Sequence, residues 1–464
     1  MTALMRSLET AVPATVMVQP VVRDVFAAQP GLSRLGKRLV TAAFDSSGID
    51  TRYTAVDELT LDRQSDDPVF FDAATMEILR PGTKARNEVY AEAGTTLFVD
   101  AARKALDAAE GVGPGDITHV ITVSCTGFFN PGPDYKIVRA LGLHASAQRY
   151  HLGFMGCYAA FPALRAAKLF CDADPNAVVL VVSAELCSLH VRSSNDPDTI
   201  VGTSLFADGA AAAVVSGRRD LPAPSGSYLT LDHFETTLTP VGEDSMAWNI
   251  GDEGFEMVLG NYVPHIIDDH IVGALDPLLE RDATLHGIDY KDIEHWGIHP
   301  GGRSILDKVQ ARLGLTDEQL VPARETLRNY GNMSSATVMF VLKHILELDD
   351  GVPDDRVGED PEDTRRGDEG PDEASGTHAG AGEPRSASVR AGAVPPVVRP
   401  EDTEDLEPST AESDGIEPGE TMTAPAAAGT GPAGPGGVRR ERVCAMAFGP
   451  GLTVETALLT KVSA

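Results

Sequence analysis

The stretch of sequence that decides the fold reads Gly153-Phe-Met-Gly-Cys-Tyr-Ala-Ala-Phe161, with a cysteine directly after Gly156. Apolar residues at helical spacing follow it, including Leu164 and Phe170, so the pattern predicts that Cys157 is the first residue of a buried helix. Unpaired backbone N–H groups and the helix dipole favour a thiolate there, and we expect a lowered thiol pKa. A lone cysteine is more often a passive core residue, so the rest of the chain must decide between the two interpretations.

Composition narrows the class of protein. The 464 residues carry a net charge of -31, which argues against nucleic acid or an anionic membrane surface as a partner. Five cysteines without zinc-ligand spacing favour a reducing compartment. Residues 1–20 lack the pattern of a signal peptide, and no apolar run is long enough to span a membrane. We therefore expect a cytoplasmic protein with no membrane span.

Two parts of the chain resemble each other. Residues 292–302 and 116–127 both read as a buried strand that ends in glycine. Residues 330–342 repeat the glycine-then-helix form of the segment around Cys157. The repeat predicts an α/β fold of two duplicated halves, each placing a reactive residue at one shared site.

A long acidic segment interrupts the second half. Residues 349–437 contain 22 acidic and 6 basic side chains and no Phe, Trp or Tyr. Such a composition cannot bury enough apolar surface to offset chain entropy, and it predicts a disordered insertion over residues 349–438. The remaining boundaries are a first half over 1–225, the second half over 226–348, and its final strands over 439–464.

Two further residues join Cys157 as candidates. His299 ends an apolar strand and is followed by Pro300-Gly-Gly302, a loop that can expose the imidazole to a cavity. Asn332 lies between Gly331 and a helix, where capping is the simplest interpretation when the residue is taken alone. The occurrence of both residues on matching elements favours a shared site.

These residues belong to a longer series of motifs. In this order and combination, the sequence resembles a type III polyketide synthase of the chalcone synthase kind, within the thiolase-fold superfamily. The resemblance runs from about residue 7 to residue 462 outside the insertion, and it implies a five-layered αβαβα fold of two duplicated halves. The motifs are Phe154-Met-Gly-Cys-Tyr-Ala-Ala160, Leu205-Phe-Ala-Asp-Gly-Ala-Ala211, His299-Pro-Gly-Gly302, Tyr330-Gly-Asn-Met-Ser-Ser335 and Phe448-Gly-Pro-Gly-Leu-Thr-Val-Glu-Thr456.

The resemblance also implies a reaction. Cys157, as an ion pair with His299, would take an acyl starter from acyl-CoA. His299 and Asn332 would stabilise the enolate formed when malonyl-CoA loses CO2. Repeated condensation and cyclisation would give a pyrone or resorcinol, without a metal or redox cofactor. Residues 248–255 resemble bacterial alkylpyrone and alkylresorcinol synthases, which favours a medium or long fatty acyl-CoA starter.

Further site residues follow from the same resemblance. Phe206 and Phe255 would be gatekeepers between the CoA tunnel and the cavity. Lys37, Arg38 and Arg52 are weak candidates for gripping CoA, because a serine stands where the family commonly has a lysine. Asn130 matches a position that reaches into the partner subunit, which implies a homodimer. The other substrate-binding candidates are Cys125, Thr126, Cys187, His190, Met246, Ser334, Gly449 and Pro450.

Several alternatives remain open from sequence. A ketoacyl-acyl-carrier-protein synthase III would use the same three side chains for a single condensation, and Cys125 also fits a tetrahydroxynaphthalene-type synthase. Hydroxymethylglutaryl-CoA synthase would need a catalytic glutamate before the cysteine. An interaction protein that recruits partners through the acidic insertion is the non-enzymatic alternative. His265, Asp269 and His270 indicate a solvated helix face rather than a metal site.

Overall fold

The structure is a computed structural model that describes residues 2–59, 65–260, 262–348 and 438–463. The predicted insertion over 349–438 therefore lies outside the described residues, apart from Val438. The strands are β1 Ala3–Ala11, β2 Thr15–Val18, β3 Thr51–Thr54, β4 Phe71–Asp72, β5 Glu77–Ile78, β6 His119–Ser124, β7 Gln148–Gly153, β8 Val178–Leu186, β9 Asp208–Ser216, β10 Tyr228–Leu238, β11 Met246–Gly251, β12 Gly254–Leu259, β13 His295–Ile298, β14 Arg439–Gly449 and β15 Thr453–Ser463. The α-helices are α1 Gln19–Ala28, α2 Arg34–Ser46, α3 Thr83–Val89, α4 Thr95–Ala108, α5 Pro133–Leu141, α6 Ala160–Ala173, α7 Pro197–Leu205, α8 Val263–Leu279, α9 Arg303–Leu313, α10 Asp317–Tyr330 and α11 Thr337–Glu347.

A large sheet organises the described residues. Nine of their strands join in the order β13-β14-β15-β10-β1-β9-β8-β6-β7. Strand β6 pairs in parallel with β7 and β8, while β8, β9 and β1 pair antiparallel. A short antiparallel ladder between β1 and β10, over Ala3 to Met5, joins β13-β14-β15-β10 to β1-β9-β8-β6-β7.

The sheet repeats one strand pattern. The order β6-β8-β9-β1 has the same pairing directions as β13-β14-β15-β10, since each begins with a parallel pair and continues with two antiparallel pairs. Strands β8 and β9 are buried along their whole length, as expected for continuous apolar runs covered on both faces. The duplicated α/β fold predicted from the sequence repeat is confirmed.

The helices form layers around this sheet. Helix α6 contacts β8 and β9 of the first pattern as well as β10 and β15 of the second, and α11 contacts β1, β9 and β13. Helices α4 and α5 pack against strands of the first pattern, and α8 and α10 pack against strands of the second. The arrangement is the αβαβα layering expected from sequence, with the apolar helices α6 and α11 in the centre.

The fold has an exposed sheet edge and, in its described part, no helix suited to cross a membrane. Within the described residues, no helix combines the length and apolar character that crossing a membrane requires. Strand β7 lies at one end of the sheet order, and its residues 148–151 are exposed. This edge carries unpaired backbone groups that another chain can meet.

Candidate active site

Cys157 lies in a turn and not in a helix. Helix α6 begins at Ala160, so the prediction that Cys157 is its first residue is wrong by three positions. The backbone has positive φ at Phe154 (60°) and Gly156 (88°), and a Cβ atom at Gly156 would lie 2.5 Å from Cδ of Pro450. Glycine is therefore needed where the chain turns from β7 toward α6, and the turn places the sulfur just ahead of the helix.

The structure brings the three proposed catalytic residues together. Cys157, His299 and Asn332 line one cavity of about 40 Å³. Most of the predicted substrate-binding residues line the same cavity, namely Cys125, Thr126, Cys187, Phe206, Met246, Ser334 and Pro450. Gly449 lies just outside the lining, and a Cβ atom there would meet the ring of Tyr158 at 2.3 Å. We call this space the nucleophile cavity.

The backbone of His299 is hydrogen-bonded, whereas its ring makes no hydrogen bond in the described structure. Its N–H donates to the carbonyl of Met446 at 2.8 Å, which extends the pairing of β13 with β14. The side chain is buried, and neither ring nitrogen has a hydrogen-bond partner among the described residues. Burial lowers the pKa of His299 to about 3, so the imidazole is neutral, and neither of its ring nitrogens is engaged in a hydrogen bond within the described part of the chain.

Asn332 is fixed so that its amide donors face the cavity. Its backbone N–H donates to Leu205 O at 2.9 Å and its carbonyl accepts from Ala207 at 3.0 Å. Its side-chain oxygen accepts from the N–H of Ser334 at 2.8 Å, and its Nδ2 donates to Gly301 O at 3.2 Å. Because the oxygen accepts from Ser334 and one N–H donates to Gly301, the amide has its second N–H left for a bound molecule.

The environment of Cys157 contradicts the predicted thiolate. Burial, with a smaller contribution from the nearby Glu185, raises the pKa of the Cys157 thiol to about 11. Hydrogen bonds with the side chains of Ser334 and Asn332 act in the opposite direction and are outweighed. Depth of burial is not visible in the sequence pattern, which is why the expected sign was wrong. The cavity therefore holds a neutral thiol beside a neutral imidazole.

A buried glutamate that sequence reasoning missed supports the cavity wall. Glu185 Oε2 accepts from Cys125 N at 2.9 Å, from Thr126 Oγ1 at 2.9 Å and from Ser124 Oγ at 3.1 Å. Its other oxygen accepts from Ser335. The signal was available, because Glu185 interrupts the apolar run of β8. Burial and this carboxyl group raise the pKa of the Cys125 thiol, which favours a wall role for Cys125.

The predicted gatekeepers occupy different places. Phe206 lines both the nucleophile cavity and a second cavity of about 30 Å³, whereas Phe255 and His190 line only the second of these two. The rings of Phe255 and His190 stack with centroids 4.2 Å apart. Met257, two residues further along β12 and so on the same face, lines both cavities. Met257 therefore lines the nucleophile cavity, whereas the predicted residues Phe255 and His190 do not.

Trp248 begins the segment 248–255, but the sequence did not predict it as a site residue. It lines both cavities, and its ring centroid lies 6.5 Å from that of Phe206 and 5.9 Å from that of Phe255. Its Nε1 donates to the carbonyl of Cys125 at 2.7 Å. The indole thus separates the two predicted gatekeeper rings, and alternation along β11 from Met246 is the signal that would have found it.

A wide opening adjoins the nucleophile cavity. The two share Leu259, Gly301 and Ile305, and the opening has a volume of about 770 Å³. The end of α2 forms one side of the opening and contributes no cation to the lining. Arg303 and Lys308 of α9 lie on another side. These two cations were not predicted from the sequence.

The three predicted CoA-gripping residues do not line this opening. Arg52 is buried, and its guanidinium donates to Gln19 Oε1 at 2.9 Å and to Thr203 O at 2.9 Å. The structure corrects the expectation for Arg52, because its charge is engaged in holding neighbouring segments together. Lys37 and Arg38 are exposed near the start of α2, away from the part of that helix that lines the opening. Among the described residues, no group of three His, Cys, Asp or Glu side chains is placed to hold a metal ion.

A duplicated α/β fold with a thiol, an imidazole and an amide around one cavity defines an acyltransferase-type condensing enzyme. The family model for chalcone and stilbene synthases, N-terminal domain, matches residues 2–218, and the model for the C-terminal domain matches residues 231–361. The chain therefore belongs to the chalcone and stilbene synthase family of type III polyketide synthases.

Curated relatives agree with this assignment. Type III polyketide synthase 21 of Oryza sativa subsp. japonica is 32% identical over 339 residues, which cover 73% of this chain and 82% of the rice protein. Probable polyketide synthase 1 of Dictyostelium discoideum is 35% identical over 232 residues, half of this chain. The match spans only 7% of that much longer protein. The resemblance to type III polyketide synthases is confirmed.

Solved structures show the same fold. PKS-I from the brown alga Ectocarpus siliculosus matches with a TM-score of 0.72 and 26% identity, covering 99% of this chain and 98% of that one. The C-terminal type III polyketide synthase domain of Steely1, a type I/III hybrid from Dictyostelium, matches with a TM-score of 0.71 and 23% identity over 99% of both chains. The thiolase fold class predicted from the motifs is confirmed.

Proposed function

We propose that the protein loads an acyl group from acyl-CoA on Cys157, extends it with malonyl-CoA and releases a pyrone or resorcinol-type product. One observation carries the proposal. A thiol, an imidazole without a hydrogen-bond partner in the described structure, and an amide with one N–H left after its bond to Gly301 all line the nucleophile cavity. These are a nucleophile, a proton acceptor and an oxyanion donor.

The loading step begins from two neutral groups. His299 takes the proton of the Cys157 thiol as the sulfur attacks the acyl-CoA carbonyl. The tetrahedral intermediate then collapses, its C–S bond to CoA breaks, and the CoA sulfur leaves with the proton returned by His299. With its pKa lowered to about 3, the imidazole is unprotonated at neutral pH, and it takes the proton only as the new S–C bond forms, because bonding to carbon makes the S–H proton more acidic.

The extension step uses the amide. When malonyl-CoA loses CO2, the electron pair of the broken C–C bond moves onto the thioester oxygen as an enolate. Asn332 Nδ2–H and an N–H of His299 donate to this oxygen. The enolate carbon then attacks the Cys157 thioester, which forms the new C–C bond and releases the sulfur. Donors placed in advance in a cavity that excludes water stabilise such an oxyanion far more than solvent does.

The wide opening is the proposed route for CoA. It adjoins the nucleophile cavity, and Arg303 and Lys308 are its basic lining residues apart from His265. Arg303 lies 3.7 Å from Asp307, and Lys308 lies 3.4 Å from Asp268. Exposed ion pairs of this kind are weak and are readily exchanged for a phosphate. Both cations are therefore available to the phosphates of CoA.

A homodimer is part of the proposal. Strand β7 ends the sheet with exposed residues, and Phe128, Tyr135 and Tyr150 nearby are exposed aromatic side chains. An open edge beside an exposed apolar surface favours pairing with a second chain. Asn130 lies in the same loop as Phe128, next to this surface.

The test is a product assay. Purified protein is incubated with acyl-CoA starters from acetyl to palmitoyl and with malonyl-CoA, and organic products and intact protein are measured by mass spectrometry. We expect pyrones or resorcinols together with an acyl adduct on Cys157. Products formed only from malonyl on a carrier protein would indicate a ketoacyl synthase instead. The absence of any adduct would favour an interaction protein.

A further inference from the structure

Two buried side chains close the end of helix α7. The last carbonyls of a helix have no partner within the helix itself. Arg52 Nη1 donates to the carbonyl of Thr203 at 2.9 Å and to that of Phe206 at 2.5 Å. Gln19 Nε2 donates to the carbonyl of Ser204 at 2.8 Å. Gln19 and Arg52 thus act together on one segment of the backbone, and we call the pair the α7 clamp.

The two members of the α7 clamp also hold each other. Arg52 Nε donates to Gln19 Oε1 at 2.9 Å, and Gln19 Nε2 also donates to Ser47 Oγ at 3.1 Å. In the described structure, the hydrogen bonds of the guanidinium all go to neutral oxygen atoms, and the negative end of the α7 dipole favours a cation there. Burial lowers the pKa of Arg52 to about 10, against the raising effect of Asp208. The guanidinium is therefore still charged at neutral pH.

The clamped segment is the one that holds Asn332. The backbone N–H of Asn332 donates to Leu205 O at 2.9 Å, and its carbonyl accepts from the N–H of Ala207 at 3.0 Å. These two bonds form a parallel bridge in which Asn332 lies opposite Phe206. Because Arg52 binds the carbonyl of Phe206, a shift of the guanidinium is passed on to the backbone of Asn332.

The stem of Arg52 also contacts the turn that carries Asn332. A Cβ atom at Gly331 would lie 2.8 Å from both Cδ and Cγ of Arg52. Thr51, the neighbour of Arg52 in β3, donates from Oγ1 to the carbonyl of Asn329 at 2.9 Å. Strand β3 therefore holds the end of α10, Arg52 joins it to the end of α7, and the turn before α11 lies between these two supports.

The other two catalytic side chains have different supports. The N–H of His299 donates to Met446 O at 2.8 Å, and Cys157 lies in the turn between β7 and α6. Of the three, Asn332 is the residue whose backbone the clamped segment binds in the described structure. A displacement of about 1 Å at a group that acts on the substrate costs about a hundredfold in rate, so the α7 clamp bears on one step more than on the other.

We propose that Arg52 is a positioning residue for malonyl-CoA decarboxylation, because it fixes the segment that pairs with Asn332 and so aims the free N–H of that amide at the enolate oxygen. The inference rests on the proposed function and adds a residue to its extension step. Gln19 assists by holding the guanidinium and the carbonyl of Ser204. Acyl loading, which uses Cys157 and His299, does not depend on the α7 clamp.

Substitutions of Arg52 give the first test. Arg52→Met removes every donor and keeps an unbranched stem. We expect kcat for malonyl-CoA decarboxylation to fall about tenfold to a hundredfold, with KM for malonyl-CoA and the rate of acyl loading within about threefold of wild type. Arg52→Lys keeps a charged donor without the fork of the guanidinium, so its kcat should lie between the two. Release of labelled CO2 measures decarboxylation, and mass spectrometry of the intact protein measures loading.

The Asn332→Ala background shows whether Arg52 acts through the amide. Two residues that act through one group give non-additive effects. Arg52→Met is therefore expected to slow decarboxylation by less than about twofold when residue 332 is already alanine. A further loss as large as in the wild-type background would overturn the proposal, since Arg52 would then act on the reaction by another route.

Two further variants control for loss of fold. Arg442→Met removes a guanidinium that binds Asp232 and Thr460 outside the lining of the nucleophile cavity and of the opening. It should lower the thermal unfolding temperature and keep the decarboxylation-to-loading ratio within about twofold. Gln19→Leu should lower that ratio about threefold to tenfold. If Arg52→Met yields no folded protein, Gln19→Leu and Arg52→Lys decide by the same ratio.

The outcomes separate this inference from the proposed function. Wild-type protein that neither loads an acyl group nor releases CO2 would overturn both. Active wild-type protein with an unchanged decarboxylation-to-loading ratio in every clamp variant would overturn the inference alone, because Arg52 would then support only the fold. A rise in KM for malonyl-CoA at constant kcat would also overturn it and would return Arg52 to a role in binding CoA.

Discussion

The two halves of the molecule place different chemistry at equivalent points. In the first half, β6 is followed by Cys125, and the turn before α6 carries Cys157. In the second half, β13 is followed by His299, and the turn before α11 carries Asn332. All four side chains line the nucleophile cavity. The fold thus supplies two pairs of equivalent positions, and the residues decide what each position does.

The two halves use the same backbone turn, but their site residues make different hydrogen bonds. Gly156 and Gly331 have φ of 88° and 70° and precede the two turns. In the first half, Cys125 Sγ lies 3.3 Å from Ser334 Oγ, so the residue after the strand is occupied. In the second half, the ring of His299 has no partner in the described structure. The first half therefore contributes the nucleophile, and the second half contributes an imidazole whose ring nitrogens are free of hydrogen bonds in the described structure.

The largest expected effect separates the two thiols of the first half. Cys157→Ala is expected to reduce acyl loading at least about a thousandfold, because the attacking sulfur is gone. Cys125→Ala removes a wall thiol whose pKa burial keeps high, so loading should stay within about tenfold of wild type. Intact-protein mass spectrometry after incubation with acyl-CoA measures both. An adduct of equal yield on the Cys157 variant would show that the nucleophile lies elsewhere.

The next effect concerns the amide of the second half. Asn332→Ala is expected to slow malonyl-CoA decarboxylation by about a hundredfold to a thousandfold, because an oxyanion donor is lost, while acyl loading changes by less than about tenfold. Release of labelled CO2 measures the first step, and adduct formation measures the second.

Asn332→Asp is the control for local structure. It retains the oxygen that accepts from Ser334 N and removes the Nδ2 donor. Slow decarboxylation in both variants would assign the effect to the donor. Wild-type decarboxylation in Asn332→Asp would instead show that the amide only positions the turn.

The third prediction tests whether Cys157 of the first half is a neutral thiol or forms an ion pair with His299 of the second half. Because the pKa of Cys157 is raised to about 11, the thiolate fraction rises as the pH increases toward that value. The alkylation rate of Cys157 by iodoacetamide should therefore increase about tenfold per pH unit between pH ~6 and ~9. A preformed ion pair with His299 would give a rate that is already constant over this range. Mass mapping of the alkylated site keeps Cys125 and Cys187 out of the measurement.

Sequence reasoning predicted the positions of the site better than its surroundings. Cys157, His299 and Asn332 could be found because each follows an apolar or helical pattern broken by glycine, and the repeated pattern placed them at one site. Met257 and Trp248 were missed because deciding which strand residues face a cavity requires knowing the neighbouring layer. The pairing of β11 with β12 and the packing of that pair over the cavity are long-range facts that no local pattern contains.

The burial and the partners of charged residues were the hardest features to predict from the sequence. Arg52 is a candidate for gripping CoA from the sequence, yet it is buried between segments distant in sequence. Glu185 stabilises the wall of the nucleophile cavity because three donors bind one of its carboxylate oxygens. The predicted pKa of Cys157 had the wrong sign for the same reason, since desolvation depends on how deeply the turn is covered.

The smallest expected effect compares the two sides of the opening, one from each half. Arg303→Ala or Lys308→Ala, on the α9 side, should raise KM for acyl-CoA about twofold to fivefold, since each removes one exposed charge near the phosphates. The change should shrink as salt increases, because exposed charges are screened. Arg38→Ala, on α2 but outside the lining, is the matched control and should leave KM unchanged.

A larger rise in KM for Arg38→Ala than for the α9 variants would move the CoA contact to the first half, as the family resemblance of α2 suggested. Equal and salt-independent values in all three variants would mean that CoA is held by its pantetheine arm, with the uncharged wall of Gly301 and Ile305 as its contact.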